Sequence, residues 1–372
     1  MPPSLTYTET IQTQEHAKIH TIDDIKLDPY PKLVAPQAAP REYTILYPTV
    51  VIFTYGHLAA QDPYPKLVAP QAAPREYTIL YPTVVIFTYG HLAAVYGLYL
   101  ACTAASWNTL IFNFIVYILA GIGVTAGSHR LWSHRAYKAN TALQILIILM
   151  NSMAYQNTAF DWAKKHRLHH RYSDTDADPH NATRGFFFSH IGWLLVKRHP
   201  DVKKREHLID LSDLYANPVV MFQKRYAFPI IIFFCFSLPT FVPVYFFGET
   251  LSVAWHVNIL RYVCNLHMSF FINSAAHLWG NKPYDINIKP VQNLFVSLIA
   301  LGEGFHNYHH TYPWHYKAAE LGNNKLNLST KFIDLFAWIG WAKDLKTVPE
   351  HVAHTRMIRT GDGSDMWGHK DH

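Results

Sequence analysis

Cysteine is scarce in this 372-residue chain: there are three, Cys102, Cys235 and Cys264, each inside an apolar run. An odd number without close pairs excludes a disulfide framework and a CxxC redox motif. Charge is sparse too, with Asp, Glu, Lys and Arg at 16% of residues. No P-loop, HExxH or GxSxG string occurs, so the chemistries those motifs support are not indicated, and nothing points to nucleic acid. Residues 1–27 are polar and Thr-rich and lack a charged-then-apolar leader, so a cleaved signal peptide is not expected. Residues 121–126 match GxGxxG/A, but they lie near the end of an apolar run rather than between a strand and a helix. Gly123 and Gly127 also form GxxxG, and close helix packing is the better reading.

Histidine, by contrast, is abundant, with 24 residues. Three clusters adjoin apolar segments: His129 and His134 in HRLWSH, His166, His169 and His170 in HRLHH, and His306, His309 and His310 in HNYHH, close to Glu303. Residues three and four apart share a helical face, so the second and third clusters each present several rings in a narrow arc. His129 and His134, five apart, sit roughly 140° around an α-helix and suit a helix end fraying into a loop. Imidazole alone does not choose among iron, zinc, copper and nickel. Eight rings exceed the three or four of one zinc site, which favours two metal ions. Scattered histidines such as His57, His91, His180 and His267 read as ordinary core or surface groups.

The hydrophobic residues, 50% of the chain, are gathered into long runs separated by basic segments. Residues 28–60 and 62–94 are the same 33-residue string twice over, without one difference. A repeat array drifts between units and needs at least three copies to stack, so residues 28–61 read as a duplicated passenger after a polar N-terminus at 1–27, with the working domain at 62–372. The second copy continues into VYGLYLAC and gives a membrane span at about 79–102; the first stops too short to cross. Further spans are expected at about 109–127, 228–247 and 251–276, the last containing Asn258 and Arg261, which must face protein or a polar cavity. The run 142–150 is too short to cross. Residues 129–227 carry fifteen Lys and Arg, whereas the links at 103–108 and 248–250 carry none, so the long segment is cytosolic. Four spans then put both termini and all three clusters on the cytosolic side. The expected fold is an all-α integral membrane protein, four transmembrane helices capped by a cytosolic helical domain that holds the histidines.

A metal centre at the cytosolic ends of membrane helices suits an amphipathic substrate with a charged head and an apolar tail. Oxygen activation at paired irons lies beyond ordinary side chains and belongs to the cofactor. No flavin or haem motif is visible, so electrons come from a separate donor. The strings GSHRLWSHR, HRLHHRYSDTDADPH, RGFFFSHIGWLL, NSAAHLWG, GEGFHNYHHTYPW and RTGDGS closely resemble the membrane acyl-CoA desaturases, in particular insect enzymes including those that make moth sex pheromones. The resemblance covers about residues 75–368. It implies two iron ions held by His129, His134, His166, His169, His170, His277, His306, His309 and His310, with Asn273 reaching one iron through water. Asn273 lies four before His277, on what would be the same helical face. The resemblance further implies a long-chain acyl-CoA substrate, cytochrome b5 and its NADH-dependent reductase as electron source, and the endoplasmic reticulum membrane as location. For the CoA head group it carries over Asn157, Lys164, Lys197 and Arg198, which suit phosphate contacts.

The chain departs from the family at Lys164-Lys165, where a basic–acidic pair is usual, and at His315, which replaces an acidic residue. Gln292, which ends Lys289-Pro-Val-Gln292, points to Δ11 rather than Δ9 desaturation. Glu303 and the run Asp174, Asp176 and Asp178 are the carboxylates nearest in sequence to two clusters, placed to accept the outer N–H of a ligating ring. For the aspartates, helix capping or solvation is an equally good reading. A same-superfamily acyl hydroxylase and a His-rich zinc-binding membrane protein are the alternative functions.

Overall fold

The computed structural model describes residues 76–319 and 327–370, so the first copy of the duplicated string and the expectation that it is a passenger fall outside the described residues. Helix α1, Tyr81–Thr103, opens with Pro82 in its first turn, where a missing N–H costs nothing. Helix α2, Trp107–Ile122, is capped by Ser106, whose Oγ accepts the Thr109 N–H. Glu249 closes this end of the molecule: its Oε2 accepts the Ser106 N–H and the Thr109 hydroxyl, each at 2.9 Å, and so ties together the two links that lack Lys and Arg.

Among the described residues, three helices are long and apolar enough to cross a membrane: Tyr81–Thr103, Trp107–Ser133 and Ala227–Phe247. They turn large apolar side chains outward, among them Val85, Leu92, Val95, Phe114 and Phe246, the side-chain distribution that a lipid surface accommodates. The helix Leu251–Asn273 has 23 residues and so is long enough, but it is not among the three. Asn258 and Arg261 turn inward, as the sequence required. Arg261 is 4% exposed; it donates to Asn258 Oδ1 and to the carbonyls of Met153 and Cys235. This helix packs along α1, and at Gly97 a Cβ would lie 2.1 Å from the His256 carbonyl oxygen, so the two backbones meet there.

Beyond Ile122 the second apolar helix widens into a π-helical stretch, Gly123–Ser133, every residue of which is buried. Gly123 and Gly127 allow it to press on helix α3, Thr141–Ser152. A Cβ at Gly123 would meet the Asn151 backbone N at 2.2 Å, and one at Gly127 the Ile147 side chain at 2.4 Å. The glycine pair therefore serves packing. Helix α4, Ala159–Tyr172, starts at a Thr158 cap and crosses the same π-helical stretch. A two-residue antiparallel ladder joins Lys138–Ala139 to Ala342–Lys343. The histidine-bearing segments thus lie where α4, the π-helical stretch and the short helix His306–Thr311 come together.

Candidate metal centre

Two groups of rings form where these elements meet. His129, His134, His166, His170 and His309 make one; His169, His277, His306 and His310 make the other, and each group could hold a metal ion. All nine histidines expected from the sequence are present, divided five and four. The rings face one another through Nε2. In the first group His129 and His170 each stand 2.9 Å from His309, and His134 stands 2.9 Å from His166. In the second, His277–His306 is 3.0 Å, His306–His310 3.1 Å and His169–His310 3.3 Å.

The outer nitrogens account for this arrangement. His169 Nδ1 lies 2.9 Å from Asp178 Oδ2, His277 Nδ1 3.2 Å from Asp174 Oδ2, and His129 Nδ1 2.9 Å from Glu303 Oε2. An ionised carboxylate only accepts, so these rings place their proton on Nδ1 and turn an Nε2 lone pair inward. Lone pairs facing at this distance repel unless a cation lies between them. Two imidazoles at right angles on one ion, each about 2.1 Å from it, would have nitrogens roughly 3 Å apart. The donor set therefore fits a metal ion in each group. Burial, then the neighbouring rings, holds the pKa of His134, His166, His170, His306, His309 and His310 well below the ordinary value, in the neutral form that ligates. Burial would lower His169 as well, but the Asp178 carboxylate outweighs it and the pKa is raised.

Glu303 is itself buried and stays ionised. Burial opposes ionisation, yet Arg130 and His129 hold its pKa below the usual range. Arg130 Nη2 is 2.8 Å from Glu303 Oε1, and the guanidinium also donates to Thr330 Oγ1, Asn327 Oδ1 and the Tyr316 carbonyl.

Two sequence expectations need correction. His129 and His134 do not sit on a fraying α-helix end. The His134 N–H bonds to the His129 carbonyl at 3.1 Å, an i→i+5 link that belongs to the π-helical stretch, and this wider turn brings residues five apart toward one face. Asn273 and His277 do not share a helix. The backbone breaks at Ser274 (φ −112°, ψ −75°), and His277 lies in a separate turn, Ala275–Leu278. Asn273 instead lines a cavity of about 400 Å³, together with His129, His166 and Glu303. Apolar side chains including Phe87, Val124 and Leu266 form the walls, and Tyr155, Asn157 and Lys165 add polar groups. Tyr155 and Asn157 have positive φ, 44° and 70°.

Among the expected head-group contacts, Asn157 is exposed and borders this cavity. Lys164 and Arg198 converge on Glu206, at 2.8 and 3.4 Å. Lys197 is exposed, and its N–H bonds to the Thr78 carbonyl. Sequence reasoning missed Arg130 and Glu206, noted Lys165 only as a departure from the family's usual pair, and set His180 aside. His180 is buried, with Nδ1 3.4 Å from Asp178 Oδ1, and joins His169 and Asp178 in a third possible metal group. Its place two residues after Asp178 was the available signal. His315 is buried, its Nδ1 2.7 Å from the Tyr308 hydroxyl, and is not in any of the three groups.

Comparison with known proteins agrees with this geometry. The family model for fatty acid desaturase matches residues 105–320. The chain is 60% identical to an acyl-CoA Delta(11) desaturase of Spodoptera littoralis over 91% of its length and 90% of the relative's. It is 54% identical to an (11Z)-hexadec-11-enoyl-CoA conjugase of Bombyx mori, covering 98% of each chain. An acyl-CoA Delta-9 desaturase of Acheta domesticus is 55% identical over 75% of this chain and 78% of its own. With nine buried or half-buried histidines gathered in two groups and relatives of this similarity along almost its whole length, the chain belongs to the fatty acid desaturase family, among the insect acyl-CoA desaturases.

Proposed function

We propose that the chain inserts a cis double bond into a saturated long-chain acyl-CoA, at Δ11 in preference to Δ9, using O2 and electrons from cytochrome b5 and its NADH-dependent reductase. The observation that carries this reading is the inward convergence of nine Nε2 atoms in groups of five and four, three of them backed by carboxylates. Two iron ions would be held by His129, His134, His166, His170 and His309 and by His169, His277, His306 and His310, with Asn273 contributing through water. When bound, the metal pair supplies oxygen activation, which side chains cannot perform.

The residues of the chain bind, orient and exclude water. Asp174, Asp178 and Glu303 fix the tautomer and direction of His277, His169 and His129. The cavity holds the acyl chain against His129 and His166 between apolar walls. Asn157, Lys164, Lys197 and Arg198 hold the phosphates of the CoA head group. Leu251–Asn273 is the fourth span, which leaves both termini and the histidines in the cytosol and the protein in the endoplasmic reticulum membrane. The Δ11 assignment is supported by Gln292 and by the name of the Spodoptera littoralis relative.

Expression in yeast lacking its own desaturase, followed by gas chromatography and mass spectrometry, tests the reading. An acyl product two mass units lighter, unsaturated at carbon 11, is expected. A product sixteen units heavier would make the protein a hydroxylase, and a double bond at carbon 9 would overturn the position.

A further inference from the structure

Glu206 ends the short helix Pro200–Glu206 in strongly basic surroundings. Lys203, Lys204 and Arg205 precede it in that helix, and Lys164 and Arg198 approach it from α4 and from the segment after Trp193–Leu195. One carboxylate oxygen, Oε1, meets both cations, at 2.8 Å from Lys164 Nζ and 3.4 Å from Arg198 Nη1. The Arg198 side chain is 49% exposed, Lys164 29% and Glu206 13%. The group thus opens to solvent on the cation side, and the carboxylate lies behind it. Burial would raise the Glu206 pKa, but the bonds to Lys164 and Arg198 lower it, so it is anionic at neutral pH. Lys165, the next residue of α4 after Lys164, lines the cavity beside the five-ring group, so this ion cluster stands close to the cavity wall.

A single anionic oxygen shared by an ammonium and a guanidinium has the geometry of a bound phosphate oxygen. We infer that Glu206 is an internal stand-in for a phosphate of the acyl-CoA head group: it pairs with Lys164 and Arg198 while the head group is absent and yields both when it binds. This rests on the reading of Lys164 and Arg198 as head-group contacts given under Proposed function. Binding then exchanges one anion for another on the same two cations rather than filling bare charges. The carboxylate weakens the head group's hold in two ways, by competing for the cations and by repelling a polyanion. In return it keeps two adjacent cations paired when no substrate is bound.

The test measures the affinity of detergent-solubilised full-length holoprotein for CoA itself, which has the head group and no acyl chain. Glu206→Gln should tighten CoA binding by roughly threefold at low salt, the scale of a partly exposed ion pair, and should steepen the loss of affinity as salt is raised. The KM for an acyl-CoA should fall by a similar factor. In a Lys164→Gln/Arg198→Gln background CoA binding should be largely lost, and the gain from the same change should shrink to the part due to repulsion, since the competing pairs are already gone. Glu206→Ala serves as a second neutral variant should Glu206→Gln not be recovered folded. Unchanged or weaker CoA binding in the neutral variants, with binding still lost in the double background, would overturn the inference and make Glu206 an orienting partner of the cations. Unchanged binding in the double background would instead show that the head group lies elsewhere and remove the reading beneath it.

Discussion

His309 and His267 each stand within hydrogen-bond distance of two other imidazoles, yet they use their nitrogens differently. His309 turns one atom, Nε2, to both His129 Nε2 and His170 Nε2. His267 spends both: Nδ1 meets His190 Nε2 at 2.9 Å and Nε2 meets His91 Nε2 at 3.0 Å. The second arrangement is a chain that protons can satisfy. His91 Nδ1 donates to the Phe87 carbonyl at 2.6 Å, so its Nε2 accepts from His267 Nε2–H, and His267 Nδ1 accepts from His190 Nε2–H. At the far end His190 Nδ1 meets the Ser274 hydroxyl at 2.9 Å. Each ring-to-ring link has a donor and an acceptor. Around His309 the lone pairs converge, and carboxylates behind the neighbouring groups hold them there. Convergence with carboxylate backing marks a metal site; end-to-end pairing marks a strut, here between α1, the segment around His190 and the Leu251–Asn273 helix.

The contrast can be broken most sharply at its two central residues. His309→Ala should abolish product and the iron of the five-ring group together, because the ring joins two partners in that group. His267→Ala should keep its metal content, measured on the same purified material. Iron lost equally from both variants would erase the distinction.

The next effect concerns pH in chelator-treated protein. Six rings of the five-ring and four-ring groups have lowered pKa values, so the unfolded chain takes up their protons more readily than the folded one. Their contribution to stability is complete above the ordinary value of 6.5 and is lost as pH falls below it toward the folded values. His169, with a raised pKa, runs the other way: its contribution is complete below 6.5 and lost as pH rises through the folded value. Six outweigh one, and the melting temperature should fall between about pH 7.5 and about pH 5.5. A flat or rising profile would contradict the neutral, inward-facing state of the rings.

Smaller effects come from the carboxylates. Glu303→Gln and Asp178→Asn should lower iron retention or turnover by roughly tenfold to a hundredfold, the usual range for partners of ligating rings, while the protein stays in the membrane. Wild-type iron and rate in either variant would remove the supporting role. Smallest of all, deleting residues 28–61 should leave product amount and double-bond position unchanged in stably expressed protein.

How much of this was legible in the sequence depended on distance along the chain. His166, His169 and His170, and likewise His306, His309 and His310, advertise themselves through helical spacing, and the ordered set of strings carried His277 with them. Asp174 and Asp178 were visible only as neighbours; their reach to His277 and His169 appears once the chain is folded. Glu303 was noticed beside the third cluster, yet its ring partner, His129, belongs to the first. The π-helical turn at His129 and the break at Ser274 were not readable, because 3.6-residue spacing presumes an unbroken α-helix. The chain of His91, His190 and His267 joins residues 77 and 176 positions apart, and no local pattern announces such a pairing. Glu206 sits inside a basic run, and nothing local shows that it pairs with Lys164 and Arg198.

The central claim is that the two histidine groups each hold one iron in working protein. The most direct measurement is metal content per chain, by elemental analysis, on a preparation whose desaturation rate is measured at the same time. Two irons per chain, with activity rising and falling with iron content, is the predicted result. Full activity with iron near zero and zinc at stoichiometric level would contradict the account.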